Sequence, residues 1–280
     1  MKSIALKQKI STTGENSLVF GDALKILKSI PDSSVDHCIT DPPYNISGYD
    51  HKKNIGWLQS NGIWTEEKNF SKIDAQWDKF SDNDYLSFTK DWISEVARVL
   101  KPNGNIIIFG SYHNIYQIGS ILQGLDRKLI NSIVWYKRNA FPNVTQRMLC
   151  ESTEHIVWAV NETKKNAKNW TFNYKKLKEL NGGVQMRNMW DIPSTPTSEK
   201  KRGKHPSQKP IELINRLVVG GSNKNDMIID PFMGSGTLPV VALMTGRKFI
   251  GIDNNKLYCN LALKRIRDYK NRLRLNLGQI

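Results

Sequence analysis

Short apolar segments that alternate with helical patterns constrain the fold of this chain more than any other feature. Turn residues bound seven of them, which predict β-strands: SLVF (17–20), VDHCIT (35–40), NIIIFG (105–110), LINSIVWYK (129–137), EHIVWAV (154–160), MIID (227–230) and KFIGID (248–253). Several are apolar at successive positions, as expected for strands covered on both faces. Helical patterns lie between them, so the sequence predicts an α/β fold with a doubly wound sheet.

Two stretches interrupt this alternation. Residues 48–80 form a long polar segment with three tryptophans, which predicts either a functional lid or a disordered loop. Residues 161–208 are rich in lysine and asparagine. Within them Trp170, Phe172 and Tyr174 alternate with polar residues, which predicts one strand of a small inserted subdomain with these aromatic rings packed inward.

The charge balance favours a polyanionic partner. Forty-one lysine and arginine residues against 26 acidic residues give a formal net charge of +15 in 280 residues. Nucleic acid is the leading candidate, although a generally basic composition would produce the same imbalance. The sequence shows no signal peptide or membrane-spanning segment. Three cysteines without C-x-x-C spacing argue against a disulfide framework or a metal site and favour a reducing cytoplasm.

The motif DPPY directly follows the strand predicted at 35–40, and ligands bind at the carboxyl ends of strands in open α/β sheets. Asp41 offers an acceptor carboxylate, Pro42 and Pro43 offer carbonyls on a stiff backbone, and Tyr44 offers a flat face. These groups suit a planar substrate with an exocyclic amine. A proline-stiffened turn without a ligand is the alternative.

A second motif, DPFMGSGT (230–237), reads as strand, glycine-rich turn and helix. Gly234 and Gly236 permit positive φ and a close approach of the backbone to a ligand. The pattern is neither G-x-G-x-x-G nor a P-loop. Asp253 ends the next predicted strand, where an acid commonly accepts hydrogen bonds from ribose hydroxyls. The combination predicts a site for a nucleoside-containing cofactor, with a tight strand–helix connection as the alternative.

Taken in order, these motifs resemble the DNA amino-methyltransferases, which methylate adenine N6 or cytosine N4 with S-adenosylmethionine. DPPY resembles their catalytic motif, DPFMGSGT their cofactor loop, GDALKIL (21–27) the segment that contacts the cofactor adenine, and KHPSQKPIELI (204–214) the motif at its methionine end. The catalytic motif precedes the cofactor loop, as in the circularly permuted beta group.

The resemblance implies a mostly parallel, seven-stranded, Rossmann-like sheet with an inserted target-recognition region. It divides the chain into a catalytic half (1–139), a target-recognition insertion (140–204) that includes a sheet strand near 154–160, and a cofactor-binding half (205–280). It implies S-adenosylmethionine as cofactor, S-adenosylhomocysteine as product, no metal, and double-stranded DNA as substrate. A homodimer and a cognate restriction endonuclease are further expectations that this group raises.

The resemblance also assigns roles to residues. The catalytic group is Asp41, Pro42, Pro43 and Tyr44; the cofactor group is Asp22, His205, Ser207, Lys209, Asp230, Phe232, Gly234, Ser235, Gly236, Thr237 and Asp253. Asp at position 41 favours adenine N6, whereas Ser there more often marks cytosine N4. Asp41 and the Pro42 carbonyl would each accept one N–H of a flipped base, on which Tyr44 would stack.

DNA contacts are predicted from composition. Lys200, Lys201, Arg202 and Lys204 form a basic run that suits phosphate contact. Tyr49 or Trp57, in the 48–80 loop, could stack on the flipped base. Three other functions compete with this interpretation. The motif order and Asp41 disfavour methylation of RNA or of a protein amide. The intact motifs disfavour an inactive nucleic-acid-binding module, and the incomplete dinucleotide fingerprint disfavours a dehydrogenase.

Overall fold

A computed structural model describes residues 4–8, 15–46, 80–140, 142 and 147–277. These residues form one nine-stranded sheet. The strands are β1 (Leu6–Lys7), β2 (Ser17–Phe20), β3 (His37–Thr40), β4 (Asn105–Gly110), β5 (Arg127–Tyr136), β6 (Thr153–Thr163), β7 (Met189–Asp191), β8 (Met227–Asp230) and β9 (Lys248–Asp253). Their spatial order is β1-β2-β9-β8-β3-β4-β6-β5-β7.

The sheet is parallel except around β6. Strand β6 runs antiparallel to both of its neighbours, β4 and β5. All other neighbouring pairs are parallel. The carboxyl ends of β2, β3, β4, β8 and β9 therefore meet at one edge of the sheet, and the amino end of β6 reaches the same edge.

Helices cover the sheet. They are α1 (Ala23–Lys28), α2 (Asp82–Val99), α3 (Ile115–Gly124), α4 (Tyr174–Leu180), α5 (Ile211–Gly221), α6 (Thr237–Met244) and α7 (Lys256–Leu277), with a 3₁₀ turn at Thr197–Lys200. The side chains of Asp22 and Ser81 accept hydrogen bonds from backbone N–H groups in the first turns of α1 and α2 and thereby cap them. None of the helices in the described ranges combines the length and apolar character that crossing a bilayer requires.

The core consists of apolar layers on the two faces of the sheet. One layer packs Trp92 of α2 and Ile118 of α3 against β3 and β4, and the other packs Leu213 and Leu217 of α5 against Trp158. A third cluster lies between α6, α7 and β9 around Phe249. Ile106, Ile107 and Ile108 are all fully buried, which explains why β4 is apolar at successive positions.

The predicted α/β class is confirmed, and all seven predicted strands are present. The expected count of seven is too low, because the short strands β1 and β7 extend the sheet at its two edges. The predicted strand at Trp170–Tyr174 is wrong. Tyr174 begins α4, and Phe172 and Tyr174 are exposed rather than packed inward.

The range 140–204 contributes to the same sheet as the rest of the chain. Strand β6 lies between β4 and β5, and β7 pairs with β5. A role for this range in target recognition stays a prediction. Most of the 48–80 segment, including Tyr49 and Trp57, lies outside the described residues.

Candidate active site

The DPPY turn (residues 41–44) and the glycine bend (residues 230–237) lie next to each other. They follow β3 and β8, which are neighbouring parallel strands. The Thr40 hydroxyl donates a hydrogen bond of 2.7 Å to Asp230 Oδ1, and the Phe232 N–H donates to the same oxygen at 3.1 Å. The strand order thus places the acid, the aromatic ring and the glycine turn on one edge, as the sequence predicted.

The DPPY turn is held from below by two polar side chains. Tyr85 of α2 donates its hydroxyl proton to the Pro43 carbonyl at 2.8 Å, and Asn114 donates to the Tyr85 hydroxyl oxygen at 2.9 Å. Pro42, Pro43 and Tyr85 are buried. The prolines restrict φ and these bonds restrict the carbonyl, so the turn has a fixed shape before any ligand arrives.

Asp41 belongs to a charge cluster in which Lys209 is buried and the other members are half-buried. The cluster consists of Asp41, Tyr44, Lys137, Glu154 and Lys209. The Tyr44 hydroxyl lies 2.6 Å from Asp41 Oδ1 and the Lys209 ammonium lies 2.6 Å from Asp41 Oδ2. Both donors also reach Glu154 Oε2, at 3.1 Å from Tyr44 and 3.2 Å from Lys209. Lys137 pairs with the other Glu154 oxygen at 3.1 Å. Two carboxylates and two ammonium groups therefore balance within the cluster.

Burial and pairing shift the pKa values of the cluster in opposite directions. Burial raises the pKa of Asp41, Lys209 opposes this, and the Glu154 carboxylate adds to it. Burial alone would raise the pKa of Glu154, but Lys209 and Lys137 outweigh it and lower that pKa. Burial would lower the pKa of Lys209, yet the two carboxylates raise it, so the ammonium stays charged. Burial raises the pKa of Tyr44 well above its usual value, which keeps its hydroxyl a donor.

The glycine bend turns sharply because two of its residues have positive φ. Gly234 has φ +48° and Gly236 has φ +74°. A Cβ on Gly234 would lie 2.9 Å from His205 Nε2, and a Cβ on Gly236 would lie 2.5 Å from the Cβ of Ala262 in α7. Glycine is therefore required at both positions by backbone conformation and by close packing.

Asp253 closes the bend from the adjacent strand. Its Oδ2 accepts the Gly234 N–H at 2.9 Å, and its Oδ1 accepts the Asn255 N–H at 2.7 Å. Burial raises the pKa of Asp253 to about 6, although the two backbone hydrogen bonds oppose this shift. Each carboxylate oxygen keeps a second lone pair, which is the acceptor that a hydroxyl-bearing ligand needs.

Asp230 lies deeper, beneath the glycine bend. Burial raises its pKa to about 7, while the Thr40 hydroxyl and the Phe232 N–H oppose the shift. Both bonds go to its Oδ1. Asp230 therefore ties the two motifs together from within, at the base of the site.

The other predicted cofactor residues surround the bend. His205 is buried, and its ring lies edge-on to that of Tyr258 with 4.2 Å between the ring centroids. Its Nδ1 lies 3.4 Å from the Ser207 hydroxyl oxygen. Burial, followed by the charges of Lys209 and Arg265, lowers the pKa of His205 to about 4, so this ring is neutral at pH 7. The Phe232 ring lies edge-on to Trp92, at 5.4 Å between ring centroids.

Arg265 of α7 organises the far end of the bend. Its Nη1 donates to the Ser235 carbonyl, the Ser235 hydroxyl and the Thr237 hydroxyl, each at 2.9 Å. Thr237 in turn donates to the Lys209 carbonyl at 3.1 Å. Ser235 and Thr237 thus shape the bend from behind, and their direct contact with a cofactor stays a prediction.

Two predicted cofactor residues have partners within the protein. Asp22 is exposed and caps α1. The N–H of the adjacent Gly21 donates to the Asp253 carbonyl at 2.9 Å, so this cap lies at the same edge of the sheet as Asp253. Lys209 points its ammonium at Asp41 and Glu154. Contact between Lys209 and a cofactor carboxylate stays a prediction.

The four predicted phosphate contacts lie on the segment before His205. Lys201, Arg202 and Lys204 are exposed and Lys200 is half-buried. The Arg202 guanidinium is paired with Asp268 of α7, which also binds Arg272 at 2.7 Å. DNA contact by these side chains stays a prediction, and Arg202 would first have to leave Asp268.

Sequence reasoning did not identify Tyr85, Asn114, Lys137, Glu154 or Arg265. For Glu154 a signal existed, because it is a charged residue at the start of the apolar segment EHIVWAV. Its position at the site depends on β6 being antiparallel, which single-strand patterns do not encode. The other four come from elements distant in the sequence, without a motif of their own.

Known proteins share both the sequence and the architecture of this chain. The model of the N6/N4 methyltransferase family, described as DNA methylase, matches residues 35–264. The type II methyltransferase M2.LlaDCHI of Lactococcus lactis subsp. cremoris is 42% identical over 251 residues, which cover 89% of this chain and 88% of that protein. The type II methyltransferase M.HinfI of Haemophilus influenzae is 37% identical over 263 residues, covering 91% of this chain and 69% of that protein.

The fold agrees with these relatives. The crystal structure of the M1.HpyAVI–SAM complex superposes with a TM-score of 0.61 at 29% identity and covers 89% of this chain and 98% of that chain. Both motifs, DPPY at 41–44 and DPFMGSGT at 230–237, fall within the matched residues. The chain belongs to the N6/N4 family of DNA methylases.

Proposed function

We propose that this protein transfers a methyl group from S-adenosylmethionine to the exocyclic N6 of an adenine flipped out of duplex DNA. The observation that carries the proposal is the hydrogen bond of 2.7 Å from Thr40, the residue just before the DPPY turn, to Asp230 of the glycine bend, which sets an amine acceptor beside the bend. Asp at position 41 favours adenine over cytosine N4, the alternative target within the family.

The residues of the bend fit the cofactor. Gly234 and Gly236 supply the positive φ values that shape the bend, and the Asp253 carboxylate has lone pairs for ribose hydroxyls at the end of β9. His205 lies against Gly234 with Ser207 beside it, and Asp22 follows Gly21, whose N–H donates to the Asp253 carbonyl. When bound, S-adenosylmethionine supplies an electrophilic methyl group on a positively charged sulfur.

The protein's own task is to orient the amine. An aryl amine is a poor nucleophile because its lone pair is delocalised into the ring. If Asp41 and the Pro42 carbonyl each accept one N–H, the nitrogen becomes more pyramidal and its lone pair points away from the ring. Asp41 also stabilises the positive charge that develops on nitrogen, and the surplus proton leaves once the methyl group has been transferred.

The target base must leave the duplex and enter the site at this edge of the sheet. Flipping costs about a few kcal/mol of stacking and pairing. The flat side of Tyr44, half-buried beside Asp41, is the surface on which we expect the base to stack. We also propose that the enzyme modifies a fixed sequence, as the naming of its relatives as type II methyltransferases suggests. A homodimer, a restriction endonuclease partner and a cytoplasmic location remain predictions.

Incubation with methyl-labelled cofactor, genomic DNA and cellular RNA, followed by sequencing that identifies modified bases, tests the proposal. We expect N6-methyladenine in one sequence context. The matched control is Asp41→Ala, which should bind cofactor and leave the DNA unmodified. A methyl label on cytosine N4 would show that cytosine, rather than adenine, is the target. A label found in RNA alone would refute a DNA substrate.

A further inference from the structure

The charge cluster presents a difficulty for the proposed function. Both oxygens of Asp41 already accept a hydrogen bond, from the Tyr44 hydroxyl and from the Lys209 ammonium, each at 2.6 Å. The side chain of Lys209 is only 5% exposed, so it cannot turn away into water. Each of these oxygens keeps a second lone pair, but a carboxylate already bound to an ammonium is a weaker acceptor for a neutral amine. The target amine therefore binds Asp41 at full strength only if one of these donors gives up its bond.

An amine cannot displace Lys209 by its own strength. Hydrogen bonds between an ammonium and a carboxylate are roughly twice as strong as those of a neutral donor. A buried ammonium that loses its counter-ion without replacement is strongly disfavoured. The exchange is therefore feasible only if a second acceptor for Lys209 already lies within reach.

Glu154 is that second acceptor. Its Oε2 lies 3.2 Å from the Lys209 ammonium and 3.1 Å from the Tyr44 hydroxyl, so both donors of Asp41 converge on one further oxygen. Both already lie within hydrogen-bonding distance of this oxygen, so each can exchange its shorter bond to Asp41 for one to Glu154. Lys137, 3.1 Å from Oε1, keeps Glu154 charged without competing for Oε2.

We propose that Glu154 is a positioning residue that takes over Lys209 and Tyr44 when the target amine binds Asp41. The proposal rests on the proposed function and adds a residue to which neither motif points. Its physical basis is that Lys209 remains ion-paired before and after the exchange, so that a neutral amine displaces a charged donor without leaving a bare charge. Glu154 does not touch the reacting atoms in this account.

An equilibrium measurement without turnover separates this role from a structural one. Binding is measured to two duplexes that carry the site found by sequencing, in the presence of S-adenosylhomocysteine. One duplex contains the target adenine, and the other contains purine, which lacks only the amine. The weaker pairing of purine affects all variants alike, so the quantity of interest is how the ratio of the two affinities changes between variants.

We expect Glu154→Gln to reduce the preference for the amine-bearing duplex by about tenfold, the usual value of a hydrogen bond to a charged group. Its kcat should fall by about 10- to 100-fold on the same grounds, while its affinity for S-adenosylhomocysteine stays as in the wild type. Glu151→Gln is the matched control, because the same change is made at an exposed carboxylate three residues earlier. It should leave the ratio unchanged.

A double variant decides whether Glu154 acts through Lys209. In Glu154→Gln/Lys209→Met no ammonium occupies Asp41, so the amine preference should return toward the wild-type ratio. Glu154→Gln alone leaves two ammonium groups, Lys137 and Lys209, against one carboxylate, Asp41, whereas the double variant leaves one of each. The restored charge balance keeps the test usable if the single variant is poorly stable. A preference that stays low in the double variant overturns the proposal.

The outcomes distinguish this proposal from the proposed function. If the wild type methylates DNA and Glu154→Gln keeps the full amine preference and turnover, the role of Glu154 is refuted while the function stands. If the wild type methylates no DNA, both fail. A loss of amine preference in Glu154→Gln with recovery in the double variant supports both.

Discussion

The DPPY turn and the glycine bend lie side by side at one edge of the sheet but are built by opposite means. At the glycine bend, Asp253 is held by backbone N–H groups and two glycines have positive φ. At the DPPY turn, Asp41 is held by Tyr44 and Lys209, side chains that have a second acceptor nearby. The difference indicates a cofactor side that is formed in advance and a substrate side that exchanges hydrogen-bond partners on binding.

Asp41→Ala should have the largest effect and should separate the two regions. We expect kcat to fall by about 10³-fold or more, since both the orientation of the amine and the stabilisation of its developing charge disappear. Affinity for S-adenosylhomocysteine, measured by calorimetry, should change little. A variant that keeps its turnover would contradict the role of Asp41, and one that no longer binds cofactor would contradict the separation of the two regions.

Gly236→Ala tests whether the backbone conformation and close packing of the glycine bend stabilise the protein. Positive φ costs an alanine about 1–2 kcal/mol, and the Cβ, at 2.5 Å from Ala262, adds an overpacking cost of about 1–3 kcal/mol. We expect the free energy of unfolding to fall by about 3 kcal/mol in chemical denaturation, with weaker cofactor binding. Gly182→Ala is the control, because Gly182 has φ +65° with no atom within 4 Å of its added Cβ. Equal losses in both variants would show that packing at the bend contributes nothing.

Asp253→Ala should weaken cofactor binding by about 10- to 100-fold, as expected when hydrogen bonds to a carboxylate are removed. Calorimetry with S-adenosylhomocysteine measures the change. Asp253→Asn provides the comparison, since it keeps one acceptor oxygen and should lie between alanine and the wild type. Unchanged affinity in the alanine variant would remove Asp253 from the cofactor site.

The pH dependence of cofactor binding follows from the same carboxyl group. Its pKa of about 6 means that Asp253 is charged at pH 7 and loses its charge as the pH falls below 6. A carboxylate accepts hydroxyl protons better than a carboxylic acid does, so affinity should be constant above pH 7 and should decrease below pH 6. Affinity that rises on acidification would contradict this assignment. Asp253→Asn should remove the change centred near pH 6, and any change that remains near pH 7 is due to Asp230.

Sequence reasoning located the parts of the site that are contiguous and missed those that the fold assembles. The two motifs and Asp253 were predictable because each follows an apolar strand, and parallel strands end at a common edge. Glu154 was not, because its place depends on β6 running antiparallel between β4 and β5. The strand expected at Trp170–Tyr174 failed because the start of α4 took precedence over an alternating pattern of only five residues.

The smallest effect is expected for the predicted phosphate contacts. Alanine at Lys200, Lys201, Arg202 and Lys204 should flatten the log–log salt dependence of DNA binding by roughly 0.9 for each phosphate that is no longer neutralised. Restoring Arg202 alone should change little, because Asp268 holds its guanidinium. Lys224 and Lys248, exposed at the amino ends of β8 and β9 on the opposite edge, are the control pair. An unchanged slope in the quadruple variant would refute the assignment.

The central claim is that the DPPY turn and the glycine bend together form one site for methyl transfer. A crystal structure of the protein with S-adenosylhomocysteine and a duplex containing its methylated site tests the claim most directly. The account predicts a flipped base whose exocyclic nitrogen lies on Asp41 and faces the cofactor sulfur, with Lys209 shifted onto Glu154. A base still stacked in the duplex, or a cofactor bound away from Gly234 and Asp253, would contradict it.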